Sequence, residues 1–370
     1  MGKVVLVTGA ARRLAGGLVE RIRSEPGVER VVGVDTLRPA HAAGGAEFVR
    51  ADIRRPEIAR VLAEQRPDTV VHTDVDASPV GVHGAGGRGA VKETNVIGTM
   101  QLLAACQNAP TVSRLVVRST TEVYGSTPRD PAVFDESTPP KSLPRGGFAK
   151  DAVEVEGYVR GFARRRPDVS VTVLRFAHLL GPSAESPLAR YFALPVLPTV
   201  LGYDPRLQFV HEDDAVEALR IAAGEPRRGT INAGTFNVAG DGVLLLSQCA
   251  RRLGRPELPL PLPALRWGRS ALASVGVGDF SAEQLRLLTH GRVVRTSQMR
   301  ETLGFEPRFT TAAALAAYAE ARGPGLLPPE SLAGAVDRLA AAVSPPASDG
   351  ARAAAERRGG ERSQEAPEHG

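Results

Sequence analysis

Cysteine and long apolar runs are the scarcest features of this 370-residue chain, and their scarcity excludes several classes of protein. The two cysteines, Cys106 and Cys249, lie in apolar, alanine-rich stretches that suit small buried core residues. They form no disulfide framework, so a reducing cytoplasm is expected. No apolar run reaches the roughly 18 residues that a membrane span needs, and no charged leader precedes the first strand.

Clustered charge is also missing. The formal net charge is +5, but the arginines are scattered and not interleaved with aromatic residues, which argues against a nucleic-acid-binding surface. No group of residues has the spacing of zinc ligands, so no metal is expected. The mild positive charge favours small anionic molecules such as nucleotide phosphates.

The composition that remains, with 42% hydrophobic and 24% charged residues, is ordinary for a soluble globular protein. Short apolar strands alternate with helical stretches of about ten residues, which predicts a doubly wound parallel sheet, a Rossmann fold. We predict a dinucleotide-binding domain over residues 1–175. A smaller mixed substrate domain, with Rossmann elements interleaved, is expected over 176–322.

Proline-rich segments are expected to lie outside the sheet layers. Residues 182–205 suit a lid or connection, and residues 256–263 read as a linker. An amphipathic helix is expected within residues 323–344. Residues 345–370 have almost no large apolar side chains, so we predict a disordered tail there.

The stretch from Lys3 to Val19 carries the strongest single signal. It reads as a buried strand, a tight turn at Thr8-Gly9 and the start of a helix, the arrangement that places a nucleotide pyrophosphate at a helix N-terminus.

Beyond this turn, the chain resembles the NAD-dependent epimerase/dehydratase family, the extended short-chain dehydrogenases/reductases that act on nucleotide sugars and include the UDP-glucose 4-epimerases. The resemblance covers about residues 3–320. It rests on an ordered series of motifs: VTGA (7–10), GVD (33–35), ADI (51–53), VVH (70–72), NVIGTMQLL (95–103), STTEVYG (119–125), KDAVE (150–154), LRFAHLLGP (174–182), FVHEDD (209–214), FNVAG (236–240) and LGFEP (303–307).

The resemblance implies a cofactor site at the glycine turn, but two of three glycine positions have changed. Gly9 remains, whereas Arg12 and Ala15 occupy the other two. Arg12 either blocks the approach of the pyrophosphate or replaces the backbone contact with a guanidinium contact. The implied cofactor-binding residues at this turn are Gly9, Ala11, Arg12 and Leu14.

Asp35 ends the second predicted strand, where a carboxylate accepts hydrogen bonds from a ribose and repels a 2′-phosphate. It favours NAD over NADP as the cofactor, although Arg38 nearby weakens that preference. Asp52 and Ile53 match the family's adenine-contacting pair. Asp74 departs from the small apolar residues usual there, and we predict that it pairs with Arg12 or Arg13. The alternative is that Asp74 and Asp76 are exposed loop acids.

The family's catalytic set is incomplete in this chain. Thr120 occupies the serine/threonine position and Lys150 the lysine position, but Gly146 stands where the catalytic tyrosine is required. Glu122 is the one retained member of the acidic pair of the dehydratases. General acid–base assistance is worth about 10²–10⁴ in rate, so another group must take over proton transfer if the chain is an enzyme. The candidates are Lys150 itself, Glu122, Tyr191 and Tyr203.

Two further positions are expected to bind substrate. His178 replaces an asparagine that holds the sugar nucleotide, although a buried histidine of purely structural role is the alternative. Arg206 lies one residue from the family's phosphate-binding arginine position, which Leu207 occupies; a one-residue slip in a strand reverses the side chain's facing. His211 is expected to be structural.

Three possibilities therefore stay open, of which the last is a protein that keeps only the fold because Arg12 fills its pocket. The first is an NAD-dependent oxidoreductase acting on a nucleotide-sugar substrate with an atypical acid/base set. The second is a catalytically degenerate relative that binds NAD(P) or a sugar nucleotide as a sensor or scaffold. In the first two cases the resemblance implies a small-molecule ligand and a homodimer through helices 90–108 and 150–165, with no membrane partner.

Overall fold

A computed structural model of the chain describes residues 2–39, 46–76, 88–139, 144, 146–226, 229–267 and 282–323. The helix expected within 323–344 and the tail expected over 345–370 lie outside the described residues, apart from Gly323.

A parallel sheet of seven strands organises the fold, in the order β11-β6-β5-β4-β1-β2-β3. Its strands are β1 (Lys3–Thr8), β2 (Val28–Asp35), β3 (Glu47–Arg50), β4 (Thr69–His72), β5 (Arg114–Thr120), β6 (Ser170–Phe176) and β11 (Gly234–Val238). β4 is buried throughout, as expected of a strand covered on both faces. The third strand ends at Arg50, and beyond it Asp52 accepts hydrogen bonds from Arg54.

Helices cover both faces, so the doubly wound Rossmann fold is confirmed. The helices of this part are α1 (Arg13–Arg23), α2 (Glu57–Gln65), α3 (Arg88–Lys92), α4 (Thr99–Gln107), α5 (Gly147–Arg165) and α7 (Glu212–Ala223). The amphipathic α1 and α7 bury their apolar residues on one face of the sheet, and α2, α4 and α5 bury theirs on the other. A π-helical turn, Glu93–Gly98, separates α3 from α4 and interrupts the single helix expected over 90–108.

The remaining elements build a smaller mixed region with its own apolar cluster. Its strands are β7 (His178–Leu180), β8 (Leu197–Val200), β9 (Arg206–Leu207), β10 (Phe209–His211), β12 (Leu244–Leu245) and β13 (Glu257–Leu260). Its helices are α6 (Pro187–Phe192), α8 (Leu246–Arg252), α9 (Leu262–Trp267), α10 (Ala282–His290), α11 (Ser297–Glu301) and α12 (Thr311–Arg322).

The expectation that both proline-rich segments lie outside the sheet layers is wrong. β8 and β13 pair in parallel, so the segments expected to be a lid and a linker contribute a small sheet. Proline is tolerated in both strands because each is an edge strand that needs few backbone donors.

His211, expected to be structural, does join β10 to α7: its Nδ1 accepts a hydrogen bond from Asp213 N at 3.2 Å and so caps the helix.

Candidate functional site

The candidate site lies at the carboxyl ends of the parallel strands, where the turn after β1 leads into α1. Gly9 adopts a positive φ of 73°, and a Cβ added there would lie 3.2 Å from the Cβ of Asp74. The turn therefore needs glycine for its conformation and sits directly against the loop that follows β4. α1 begins at Arg13 without a side-chain cap, so its first N–H groups are available to an anion.

Asp35 lies at the end of β2 and is 5% exposed. Its carboxylate accepts hydrogen bonds from Ala11 N and Leu37 N, each at 3.0 Å. These bonds fix the carboxylate beside the turn, and each of its oxygens keeps capacity for a further donor.

Asp52 and Ile53 lie beyond β3. Ile53 is buried under the Gly98 end of the π-helical turn. Burial opposes ionisation of Asp52, but hydrogen bonds from Arg54 at 2.6–3.0 Å lower the pKa of its carboxyl group. Asp52 is therefore held in an ion pair with Arg54, whereas Ile53 packs as an apolar residue against Gly98.

Arg12 pairs with Asp74, which confirms the predicted contact. Its Nε donates to Asp74 Oδ1 at 2.9 Å, and its Nη1 donates to Asp76 Oδ2. Burial alone would lower the pKa of Arg12, but the two carboxylates raise it, so the guanidinium stays charged. The expectation that these acids are exposed loop residues is wrong for Asp74, which is 6% exposed. Asn95 fixes Asp76 in turn through two hydrogen bonds of 3.0 Å to its main chain.

Arg118, on β5, is a second arginine that the sequence reading missed. Burial lowers its pKa, and Asp76 and Asp74 act against that shift. Its Nη1 lies 3.4 Å from Thr73 O. The signal in the sequence was a charged residue directly after the apolar run Leu115 to Val117, within the same strand.

A cavity of about 730 Å³ opens between this edge of the sheet and the smaller region. Such a volume falls within the range of small-molecule sites. Six predicted site residues line it: Ala11, Arg12, Leu14, Thr120, Glu122 and His178. Gly9, Asp35, Asp52, Ile53, Lys150, Gly146 and Arg206 do not line it.

Three residues with acid–base or hydrogen-bonding side chains, Thr120, Glu122 and His178, line the cavity together. Thr120 ends β5, and its hydroxyl accepts a hydrogen bond from Glu122 N at 3.2 Å. The Glu122 carboxylate lies 4.0 Å from His178 Nδ1. Burial raises the pKa of Glu122 against the opposing charge of Arg292, and burial lowers the pKa of His178 to about 3. Glu122 can therefore hold or release a proton nearer neutral pH than an exposed glutamate.

The lowered pKa keeps His178 neutral near pH 7, and its Nε2 has no hydrogen-bond partner among the described residues. A histidine that only filled the core would be expected to satisfy both ring nitrogens.

The positions of the missing tyrosine and of the lysine lie apart from the cavity. Gly146 precedes α5 in an extended conformation, and a Cβ there would meet no atom within 4 Å. Lys150 is 45% exposed and lies 3.7 Å from Glu154 on the next turn. Phe148, in the first turn of α5, does line the cavity.

Neither alternative tyrosine reaches the site. Tyr191 is buried and its hydroxyl donates to Pro198 O at 3.1 Å, while Tyr203 is 49% exposed. Neither residue lines the cavity, so Glu122 is the acid–base candidate that remains beside Thr120.

Arg206 is exposed on β9, whereas its neighbour Leu207 is fully buried in the core of the smaller region. The alternation of a strand thus turns Arg206 away from the side that Leu207 faces. Arg206 lines a different cavity from His178, and its Nη2 donates to Ala132 O at 3.3 Å.

Within the described ranges, no group of three or more histidine, cysteine, aspartate or glutamate side chains is placed to hold a metal ion. In the same ranges, no helix combines the length and the apolar character that crossing a membrane requires.

The sheet order, the tight turn into α1 and the cavity at the carboxyl ends of the strands define a dinucleotide-binding type of α/β protein. Residues 5–239 match the model of the NAD dependent epimerase/dehydratase family. The chain belongs to that family.

Relatives and solved structures agree with this assignment. An uncharacterised protein of Mycobacterium tuberculosis is 46% identical over 327 residues, covering 87% of this chain and 84% of its own length. The UDP-glucose 4-epimerase of Mycolicibacterium smegmatis is 28% identical over 339 residues, covering 85% of this chain and 97% of its own.

Two solved structures share the fold, each covering 86% of this chain and 98% of its own length. The UDP-glucose 4-epimerase of Thermotoga maritima, solved with UDP-glucose, superposes with a TM-score of 0.64 at 20% identity. The UDP-glucuronic acid 4-epimerase of Bacillus cereus, solved with UDP-glucuronic acid and NAD, gives a TM-score of 0.64 at 17% identity.

Proposed function

We propose that this chain is an NAD-dependent oxidoreductase or epimerase acting on a nucleotide-sugar substrate, with Glu122 as its acid–base residue. The observation that carries the proposal is the meeting of Glu122 and Thr120 in one cavity, with the pKa of Glu122 raised by burial. A carboxyl group poised in this way suits proton exchange with a sugar hydroxyl at neutral pH.

Thr120 would donate or accept a hydrogen bond at the reacting hydroxyl or ketone of the sugar. The neutral His178, whose Nε2 has no partner in the part of the chain that the structure describes, would bind a second polar group of the substrate. Lys150 would take no part in proton transfer, because it does not line the cavity and its partly exposed side chain lies near Glu154 instead.

A nicotinamide dinucleotide supplies hydride transfer when it is bound. Gly9, the N-terminus of α1 and Asp35 fit its adenosine and pyrophosphate, and Asp35 favours NAD because its charge repels a 2′-phosphate. Arg12 would contact the pyrophosphate after exchanging a carboxylate for a phosphate oxygen. UDP sugars are the substrates named for several relatives, so UDP-glucose and UDP-glucuronic acid are the first to test.

Calorimetry with NAD and NADP, followed by turnover assays with both UDP sugars, tests this function. We expect NAD to bind, and Glu122→Gln to lower kcat about 10²-fold or more because the proton acceptor is lost. Glu20→Gln is the matched control, since Glu20 also lines the cavity but lies on α1, away from Thr120. Absence of NAD binding at millimolar concentration, or equal activity of the two variants, would overturn the proposal.

A second candidate is a protein that binds the same ligands without turnover. It is favoured by the engagement of Arg12 with Asp74 and Asp76 and by the glycine at the tyrosine position. Gly146→Tyr distinguishes the two candidates. Activity that appears only in this variant supports the second, whereas wild-type activity that depends on Glu122 supports the first.

The proposed assembly is a homodimer in the cytoplasm. Ile97 and Met100, beside and within α4, and Tyr158 on α5 are large apolar side chains that are 37–41% exposed. They lie in the helix pair that the family resemblance assigns to dimerisation. Sedimentation of the wild type against Met100→Glu tests this assembly, with dissociation of the variant as the expected result.

A further inference from the structure

A second polar cavity, of about 350 Å³, lies apart from the candidate active site. It forms where the segment after the 3₁₀ turn Thr121–Tyr124 meets the segment after α10. Its lining includes Ser126, Asp130, Arg206, Thr289, His290 and Arg292, and it shares no lining residue with the 730 Å³ cavity. The two cavities are therefore different sites.

Backbone hydrogen bonds join the segments that form the walls of this cavity. Phe134 N donates to Val293 O at 2.9 Å, and Arg292 N donates to Arg206 O at 3.0 Å. Gly291 has a positive φ of 67°, and a Cβ there would lie 2.3 Å from Arg206 O. Only glycine allows this close approach of the two backbones. The walls of the cavity are therefore fixed by backbone contacts and are not formed by loosely packed loops.

Two residues that line the cavity each carry a buried polar atom without a partner among the described residues. One atom is a hydrogen-bond donor and the other is an acceptor. They are Nη1 of Arg292, which is 8% exposed, and Oδ1 of Asp130. The rest of the Arg292 guanidinium is fixed: Nε donates to Gly125 O at 2.9 Å and Nη2 to Ser126 Oγ at 3.1 Å. A buried polar group without a partner costs about 1–3 kcal/mol, and a ligand in the cavity that drew either side chain towards it would relieve that cost.

The charges of the lining define the ligand. Arg206 and Arg292 are cationic and Asp130 is anionic, and burial lowers the pKa of His290, which favours its neutral form. The lining therefore carries a net positive charge together with one carboxylate acceptor. We propose that this cavity binds a small hydroxylated organic anion, whose anionic oxygens contact Arg292 and Arg206 and whose hydroxyl group donates to Asp130.

Phosphate monoesters and hydroxycarboxylates share this chemistry, and guanidinium groups suit both. Calorimetry of the full chain with glycerol 3-phosphate, glycerate and glycerol separates them. We expect at least one of the anions to bind and glycerol not to bind. Binding of glycerol 3-phosphate alone assigns a phosphate ester, binding of glycerate alone assigns a carboxylate, and binding of both assigns the shared chemistry.

Variants locate the binding. Arg206→Gln, at an exposed position, should weaken binding about tenfold through loss of a charge-assisted contact, and Asp130→Asn should weaken it less. Arg13→Gln is the matched control because Arg13 lines the other cavity, and it should leave the affinity unchanged. Arg292 is left intact, because its bonds to Gly125 and Ser126 support the fold.

The proposal is overturned if neither anion binds at millimolar concentration, if glycerol binds as well as the anions, or if Arg206→Gln binds like the wild type. Loss of binding in Arg13→Gln would likewise overturn it, because the anion would then occupy the candidate active site. These outcomes do not depend on whether the chain turns over nucleotide sugars.

Discussion

Arg12 shows how a single side chain can change the use of a nucleotide-binding turn. It stands where the family carries a glycine, and its guanidinium contacts Asp74 and Asp76. A ligand pyrophosphate at α1 would meet this arginine and both carboxylates. Two aspartates therefore compete for the cation that would otherwise contact the phosphate groups.

The double variant Asp74→Asn/Asp76→Asn should consequently bind NAD more tightly, by about tenfold, as Arg12 is released and two negative charges are removed. Amide side chains retain hydrogen-bond acceptors for Arg12, which limits the loss of stability. Calorimetry against the wild type measures the change, with Asp213→Asn, also in the cavity lining, as control. Unchanged or weaker affinity would show that the carboxylates do not compete with the cofactor.

Buried neutral histidines should make the fold sensitive to acid. Burial lowers the pKa of both His72 and His178 to about 3, aided by the nearby Arg12 and Arg292 respectively. The pKa of a histidine in the unfolded chain is about 6.5, so the unfolded chain binds more protons below that value. Stability is thus complete above pH 6.5 and falls as the pH falls towards 3.

Replacing His178 should flatten this dependence. Between pH 6.5 and 5 the wild type should lose about 2 kcal/mol of unfolding free energy through this residue. Urea unfolding of wild type and His178→Asn at the two pH values measures the difference. Parallel losses in both proteins would mean that His178 does not contribute.

The sequence predicted part of the site because its departures from the family pattern fall at one edge of a parallel sheet. Arg12 and Asp74 follow neighbouring strands, so their pairing could be inferred. The role of Arg292 could not be inferred, because its side chain bonds to Gly125 and Ser126, which lie 167 and 166 residues away in the chain. Sequence spacing does not report such long-range contacts.

At the scale of elements, the start of α5 decides whether the missing tyrosine can be restored. Gly146 is extended, with φ −169°, and a Cβ there has no neighbour within 4 Å. Gly147 has a φ of 66°, and a Cβ there would lie 2.7 Å from Glu283 Oε2. The two adjacent glycines therefore differ in what they tolerate.

Gly146→Tyr should change the unfolding free energy by no more than about 1 kcal/mol, because its backbone suits any residue. Gly147→Tyr should cost at least about 2 kcal/mol, because a side chain there is strained and clashes. Thermal or urea unfolding of the pair gives the comparison. Equal stabilities would mean that the start of α5 rearranges freely.

The regular elements of the sheet were predictable, since continuous apolar strands and amphipathic helices report burial locally. β8 and β13 were not, because each is rich in proline and is stabilised by the other strand, about 60 residues away in the chain. The π-helical turn Glu93–Gly98 also left no local signal: its residues follow an ordinary helical pattern, and the turn packs against α5, which is distant in the chain.

For the whole molecule, the sheet depends on distant parts of the chain. The apolar layer under α1 draws on α7, on β11 and on Met299, Leu303 and Phe305. A fragment of residues 1–175 lacks all of them and should not fold, whereas residues 1–323 should. Far-ultraviolet circular dichroism and solubility of the two fragments test this, and a folded 1–175 fragment would show that the first half is self-sufficient.

The edge position of β11 also sets an order of events during synthesis. β11 pairs with β6 and completes the sheet, yet it ends at Val238, after more than 60 further residues have left the ribosome. At about 5–20 residues per second, the edge of β6 is exposed for several seconds in the nascent chain. We expect the nascent chain to be prone to aggregate during this interval, because an apolar parallel strand then has an open edge.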